Sequence, residues 1–260
     1  MKSNFIWVEG ELVSEEHAPQ DIFAPARSNH NMLFADITCI ETAFGPAIFR
    51  LEDHLEQFLE ATRSMGYPVY YSVEDLCDTV HRTLTFNRVR TGNIRPAVCW
   101  QTGTTAQSEP PVFAIATWEW PYSVARQPET AAHSISLNQG IPDNVALFVV
   151  QDGRIFTPPS TRFGNKVTRD SIITLARDLG YTVVEQPLTP PQVYQAGEVF
   201  ISETITEIKA VREVDSHPIG EGAPGPVTQA LQSALHDTLQ GYGRRSQEWL
   251  DWVWCSFVGL

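Results

Sequence analysis

Leu147-Phe148-Val149-Val150-Gln151-Asp152-Gly153-Arg154-Ile155-Phe156-Thr157-Pro158-Pro159 is the stretch from which the fold is read. Two apolar runs flank an Asp-Gly pair, the dipeptide that supplies positive φ at both corners of a tight hairpin, so Val145–Val150 and Arg154–Thr157 are expected to pair as strands. Toward the C-terminus, Thr168–Leu179 carries its apolar residues on one helical face and stops at Gly180, and Tyr181–Glu185 reads as a strand. Val199–Ser202 and Glu207–Val214 are further strands, Asp215–Pro218 is a turn, and Val227, Ala230, Leu231, Ala234 and Leu235 align along a last helix over Val227–Leu239.

Toward the N-terminus, residues 5–13 alternate around Glu9-Gly10 as a second hairpin, and Met32–Thr42 leads through Phe44-Gly45-Pro46 into Ala47–Arg50 as two strands. Leu55, Phe58, Leu59, Thr62 and Met65 share one face of a helix starting at Glu52, with Gly66 as its stop. Ser72 caps a second helix, with Glu74 and Asp75 in its first turn and Val73, Leu76, Val80 and Leu84 inside. Ile94–Gln101 and Pro111–Trp118 pair across a polar turn. The organisation expected is α+β, with an N-terminal domain over 1–120, a proline-bearing linker over 121–132 and a sheet-centred domain over 133–260.

The 260 residues, 42% of them hydrophobic and 19% charged, suffice for one large core or two modest ones. Eighteen Lys+Arg against 31 Asp+Glu give a net charge of −13, which repels polyphosphates and argues against nucleic acid as a partner. Cys39, Cys77, Cys99 and Cys255 lie far apart, without metal-ligand spacing, so no metal is expected. The opening residues lack the apolar core of a signal peptide and no membrane-spanning run occurs, which makes the cytoplasm the expected location. Lysine is scarce: Lys2, Lys166 and Lys209 are all there are, so any Schiff-base chemistry must use one of them.

IWVEGELV at 6–13, IFRLEDHLEQ at 48–57, NIRP at 93–96, LFVVQDGRIFTPP at 147–159, VTRDSIITLARDLGY at 167–181, EVFISETITEI at 198–208 and GPVT at 225–228 follow one another in an order similar to that of class IV, fold-type IV aminotransferases. That group includes branched-chain aminotransferases, D-amino-acid aminotransferases and aminodeoxychorismate lyase. The resemblance covers nearly the whole chain. It implies a small N-terminal α/β sandwich domain, a C-terminal pseudo-barrel domain, here shortened, a cleft between them and a homodimer. It also implies pyridoxal phosphate, whose ring acts as an electron sink while the protein supplies a lysine and electrostatics.

The family's functional residues are then sought one by one. Its Schiff-base lysine precedes the segment matching Leu147–Pro159, but no lysine lies between Ala116 and Leu147, and several tens of residues are missing there. Its phosphate-binding H-x-x-R arginine becomes Gln57 in His54-Leu55-Glu56-Gln57, which removes a bidentate cationic clamp. Its glutamate facing the pyridine nitrogen falls at Ile141, with Gln139 the nearest polar neighbour. Its G-I-T-R turn becomes Lys166-Val167-Thr168-Arg169, and its G-T-A turn becomes Glu203-Thr204-Ile205. Helix amides at Val167 and Thr168, with Lys166, Arg169 and Thr204, and the Gln57 amide, remain as ligand- or anion-binding candidates. Glu203 beside the same phosphate opposes it by about a kcal/mol.

Lys166 reads either as a displaced Schiff-base amine or as a solvent-facing loop residue, and Lys209 reads as a surface position on an alternating strand. Cys39 and Glu41, alternate residues on the strand matching the family's substrate side, read either as nucleophile and base or as a small buried hydrophobe beside an acid. His30 and His54 are candidate general bases near neutral pH or structural rings. The expectation that follows is a class IV scaffold without cofactor, repurposed as an enzyme or binding a small carboxylate or amino-acid-derived ligand. The alternatives are an aminotransferase using Lys166 and a dimeric interaction module.

Overall fold

The computed structural model describes residues 5–19, 22–23, 32–99, 111–119, 133–142, 145–159, 166–202 and 207–253. The chain divides into two compact units, one made from the described residues of Met1–Ser123 and Gln247–Leu260, the other from those of Val124–Ser246.

The first unit is built on an eight-stranded sheet. Strands β1 (Phe5–Val8) and β2 (Glu11–Ser14) form the expected hairpin, with Glu9 and Gly10 at φ 46° and 106°. The stretch read as one strand over Met32–Thr42 is two, β3 (Met32–Phe34) and β4 (Ile37–Thr42), lying end to end along β6 (Gly92–Cys99). The break at Ala35-Asp36 falls opposite Arg95-Pro96, where proline has no N–H to give to the ladder and Arg95 draws Asp36 out of it. Strands β5 (Gly45–Phe49) and β7 (Val112–Glu119) complete this part of the sheet, in the order β5-β4-β6-β7-β1-β2.

Helices α1 (Leu51–Ser64) and α2 (Val73–Asn87) cover one face. Leu55, Phe58 and Leu59 of α1 meet Leu76, Val80 and Leu84 of α2 in a core shared with Ile37, Cys39, Ile94 and Ile115. The Ser72 cap is present as a full capping box with Asp75. Met65, placed inside by periodicity, is 53% exposed because α1 ends at Ser64 and the chain turns away through Gly66.

The second unit carries a seven-stranded mixed sheet. Strands β9 (Ala146–Gln151) and β10 (Arg154–Thr157) form the Asp-Gly hairpin, with both corner residues at positive φ. From β10 the chain crosses over through α3 (Lys166–Asp178) to the parallel strand β11 (Thr182–Glu185). After the short α4 (Pro190–Tyr194), β12 (Glu198–Ser202) pairs with β9 and β13 (Lys209–Val214) pairs with β12. Strands β14 (His217–Pro218) and β8 (His133–Ile135) both pair with β13, so the described strands form one unbroken sheet although several tens of residues that the family resemblance implies are missing before β9. Helix α5 (Pro226–Gln240) follows.

The second domain, expected to run to residue 260, gives way earlier: the chain returns to the first unit from Gln247, within α6 (Ser246–Trp249). Strand β15 (Leu250–Trp252) pairs with β5, Arg50 donates its N–H to the Trp249 carbonyl at 2.7 Å, and the Trp249 ring meets Phe49 edge-on. Burial of Trp249 and Leu250 drives that return. No helix among the described residues is long and apolar enough to cross a membrane.

Candidate functional site

In the second unit, α3 begins at Lys166, two residues before the expected Thr168. Val167 and Thr168 are buried, Lys166 is exposed, and the first turn holds no acid, unlike the first turns of α1 and α2. N–H groups in the first turn of a helix, where that turn itself carries no acid, suit an anion. Arg169 does not bring its charge there: its guanidinium is buried and donates to Glu185 on β11 at 2.9 Å. One buried N–H of Arg169, at Nε, has no acceptor among the described residues. Because the guanidinium lies at Glu185, the candidates for a phosphate group at this end of α3 are the Val167 and Thr168 amides and Lys166. An exposed Lys166 is a cation for that phosphate and lacks the shelter from water that an amine nucleophile uses.

The remaining cofactor positions fare differently. Ile141 packs on an aliphatic cluster and Gln139 is exposed, so neither offers a carboxylate to a pyridine nitrogen. Thr204 and His30 lie outside the described residues. The ends of the segment holding Thr204 are fixed: the buried Ser202 hydroxyl donates to the Glu207 carbonyl at 2.9 Å, and Gln232 of α5 donates to the Ile208 carbonyl at 2.8 Å. At the other end of β12, Glu198 caps α5, accepting the N–H groups of Val227 and Thr228 and the Thr228 hydroxyl.

Lys209 departs from the surface position read from the sequence. Its side chain is 21% exposed, and its Nζ lies 3.4 Å from a Glu207 carboxylate oxygen. Register explains the burial, since Lys209 stands opposite Ile201, which in turn stands opposite Leu147, and both belong to an aliphatic cluster.

In the first unit, Cys39 and Glu41 do not form a nucleophile and base. Cys39 is fully buried and its Sγ donates to the Arg90 carbonyl at 3.4 Å, while both Glu41 oxygens accept from the Arg90 guanidinium at 2.7 Å. Arg90 therefore takes up both partners. On α1, His54 and Gln57 lie one turn apart and half-buried. Loss of hydration, reinforced by the Arg50 charge, pushes the His54 imidazole down to about 4 against a partial counter-effect of Asp53, so the ring is neutral at neutral pH.

Sequence reasoning missed Arg95 as an organising residue. It is 5% exposed, forks onto both oxygens of Asp36 at 2.7 and 3.0 Å, donates to the Ile22 carbonyl and lies over the rings of Phe34 and Trp118. The signal is a single arginine inside the apolar run Ile94–Cys99.

Residues 143–214 match the family model for amino-transferase class IV. The branched-chain-amino-acid aminotransferase of Salmonella typhimurium is 28% identical over 303 residues, covering 96% of this chain and 97% of the relative. The enzyme of the same name from Escherichia coli K12 is 27% identical over 97% of this chain and 98% of its own length. These alignments extend beyond the chain's 260 residues, so the relatives carry segments that this chain lacks. Among solved structures, the Escherichia coli branched-chain amino acid aminotransferase superposes with a TM-score of 0.81 at 27% identity, covering 97% of this chain and 100% of that one. The T.th. branched-chain amino acid aminotransferase with pyridoxamine 5'-phosphate also gives 0.81, at 26% identity, covering 97% of this chain and 99% of that one. That cofactor-bearing relative overturns the expectation of a scaffold without cofactor, which rested on side chains absent from the family's pattern. Its helices, its two sheets and its collinear similarity to these enzymes along almost the whole length give this chain the fold of the class IV, fold-type IV aminotransferases.

Proposed function

We propose that this protein is an aminotransferase of the branched-chain kind, passing an amino group between small amino-acid-derived carboxylates and 2-oxo acids with a pyridoxal-phosphate-type cofactor. The observation that carries the reading is the first described turn of α3, where Val167, Thr168 and the exposed Lys166 come together with no acid in that turn, a setting that favours a phosphate. When bound, the cofactor supplies an electron sink for the bonds at the amino acid's α-carbon. This chain's residues hold the phosphate end, and Gln57 offers an amide where relatives in the family have a cationic clamp. The reading includes a cytoplasmic homodimer.

Quenching of tryptophan fluorescence by pyridoxamine phosphate, with inorganic phosphate as competitor, tests the seat. Saturable quenching relieved by phosphate, and weakened about tenfold in Lys166→Ala, is expected from one lost charge-assisted contact. Quenching that fails to saturate, or that phosphate leaves untouched, removes the basis for the reading.

A further inference from the structure

Glu185 receives a guanidinium from each end of α3. Arg169, in the first turn of the helix, donates to Glu185 Oε2 at 2.9 Å, and Arg177, in the last, lies 3.6 Å from Oε1. The two contacts are unequal. Arg177 is exposed and its contact is long, so water competes for it. The Arg169 side chain is buried, and its Nε has no acceptor among the described residues, so no second bond from Nε holds the guanidinium if Glu185 lets go. Glu185 is itself fixed from the sheet. It stands opposite Thr157 in the parallel β10–β11 ladder, and the N–H of the next residue, Gln186, goes to the Thr157 carbonyl at 3.0 Å. Thr157 is fully buried, and its hydroxyl donates to the Leu147 carbonyl of β9 at 2.8 Å. A line of contacts thus runs from β9 through Thr157, Glu185 and Arg169 into the first turn of α3.

We propose that Glu185 is a positioning residue for phosphate at the start of α3, acting through Arg169 rather than on the ligand itself; the inference rests on the cofactor reading above. A guanidinium cannot shed its charge, so a buried one stays where an acceptor oxygen meets it. With Glu185 in place, Arg169 ties the first turn to the end of β11, and the Val167 and Thr168 amides, two residues and one residue before it, are held in one orientation. Without Glu185, Arg169 moves outward to reach water and the first turn moves with it. The sign of the effect separates this role from a purely electrostatic one. A carboxylate acting only as a nearby negative charge opposes a phosphate, and its removal tightens phosphate binding. Removal of a positioning residue loosens it.

The test is the fluorescence titration of the full chain with pyridoxamine phosphate, with inorganic phosphate as competitor, in the parent, Glu185→Ala and Glu185→Gln. Glutamine keeps an oxygen to accept from Arg169 and removes the charge. The expected result is binding about tenfold weaker in the alanine variant, the loss of one hydrogen bond to a charged group, and within about threefold of the parent in the glutamine variant. Urea unfolding of each variant gives its folded fraction, so a lost fold is not read as lost binding. Should Glu185→Ala fail to fold, Glu185→Asp takes its place: it keeps the charge, shortens the reach by one methylene and is expected to weaken binding as well. Unchanged binding in the alanine or aspartate variant, equal weakening in the alanine and glutamine variants, or tighter binding in any of them overturns the assignment. Any of those results with saturable binding by the parent sinks this inference and leaves the cofactor reading standing; a parent that does not bind pyridoxamine phosphate sinks the two together.

Discussion

Replacing Glu198 by alanine is expected to cost about 3 kcal/mol of stability, a figure that follows from how α5 begins. Its N-cap is Gly225, which has no side chain to cap with, and its first residue is Pro226, which has no N–H. The next two donors, Val227 and Thr228, are both buried, and both N–H groups go to Glu198, at 3.0 and 2.8 Å, with the Thr228 hydroxyl adding a third bond at 2.6 Å. Alanine leaves buried donors unmet, each worth about 1–3 kcal/mol, and removes a negative charge from the positive end of a helix, worth about 0.3–1 kcal/mol; water reaching the half-buried gap returns part of this. Glutamine keeps one acceptor oxygen and is expected to cost about 1 kcal/mol. Gly225 sharpens the test, because a Cβ there collides with the Glu198 carboxyl group. Gly225→Ala should therefore destabilise the native protein by more than it destabilises Glu198→Ala, a coupling of about 1 kcal/mol in a double-mutant cycle. The assay is urea unfolding, comparing midpoints at constant m. A Glu198→Ala protein within about 0.5 kcal/mol of the parent, or strictly additive variants, refutes the cap.

Three further outcomes are expected. His54 has its imidazole lowered from 6.5 to about 4, so its contribution to stability is fully present above pH 6.5 and is lost as pH falls through about 4, amounting to roughly 3 kcal/mol at most. The difference in unfolding free energy between the parent and His54→Gln, followed from pH 8 to pH 4, should change by up to one proton's slope, and a flat difference contradicts this. Gly92→Ala drives a Cβ into the Trp118 carbonyl oxygen across the β6–β7 ladder and should lower stability by about 2 kcal/mol or more, read as a lower melting temperature. Cys77, pushed up to about 12 by burial and by Asp251, Glu52, Asp78 and Glu74, should be alkylated at pH 8 roughly a thousandfold more slowly in the folded protein than in urea; equal rates contradict it.

Periodicity carried much of the fold. The Asp152-Gly153 and Glu9-Gly10 hairpins, the capped start of α2 and the apolar face of α1 follow from local chemistry that a short window contains. The break between β3 and β4 was not legible, because it answers to Pro96 and Arg95 on another strand. The return of β15 to the first sheet was likewise hidden, since burial of Trp249 against Phe49 is a contact between residues far apart in the chain. At the site, spacing located the start of α3 but could not tell that Arg169 turns to Glu185, nor that Arg90 takes both Cys39 and Glu41. Lys209 was misplaced for a related reason: strand alternation gives two faces, and only the register with Ile201 says which one is buried.

The most direct test of the central claim is a single turnover. Protein loaded with pyridoxal phosphate and freed of excess is mixed with L-leucine, and the small molecules are separated by chromatography. The account predicts pyridoxamine phosphate and 4-methyl-2-oxopentanoate in equal amounts, up to one of each per bound cofactor. Bound cofactor that leaves leucine unchanged would contradict it.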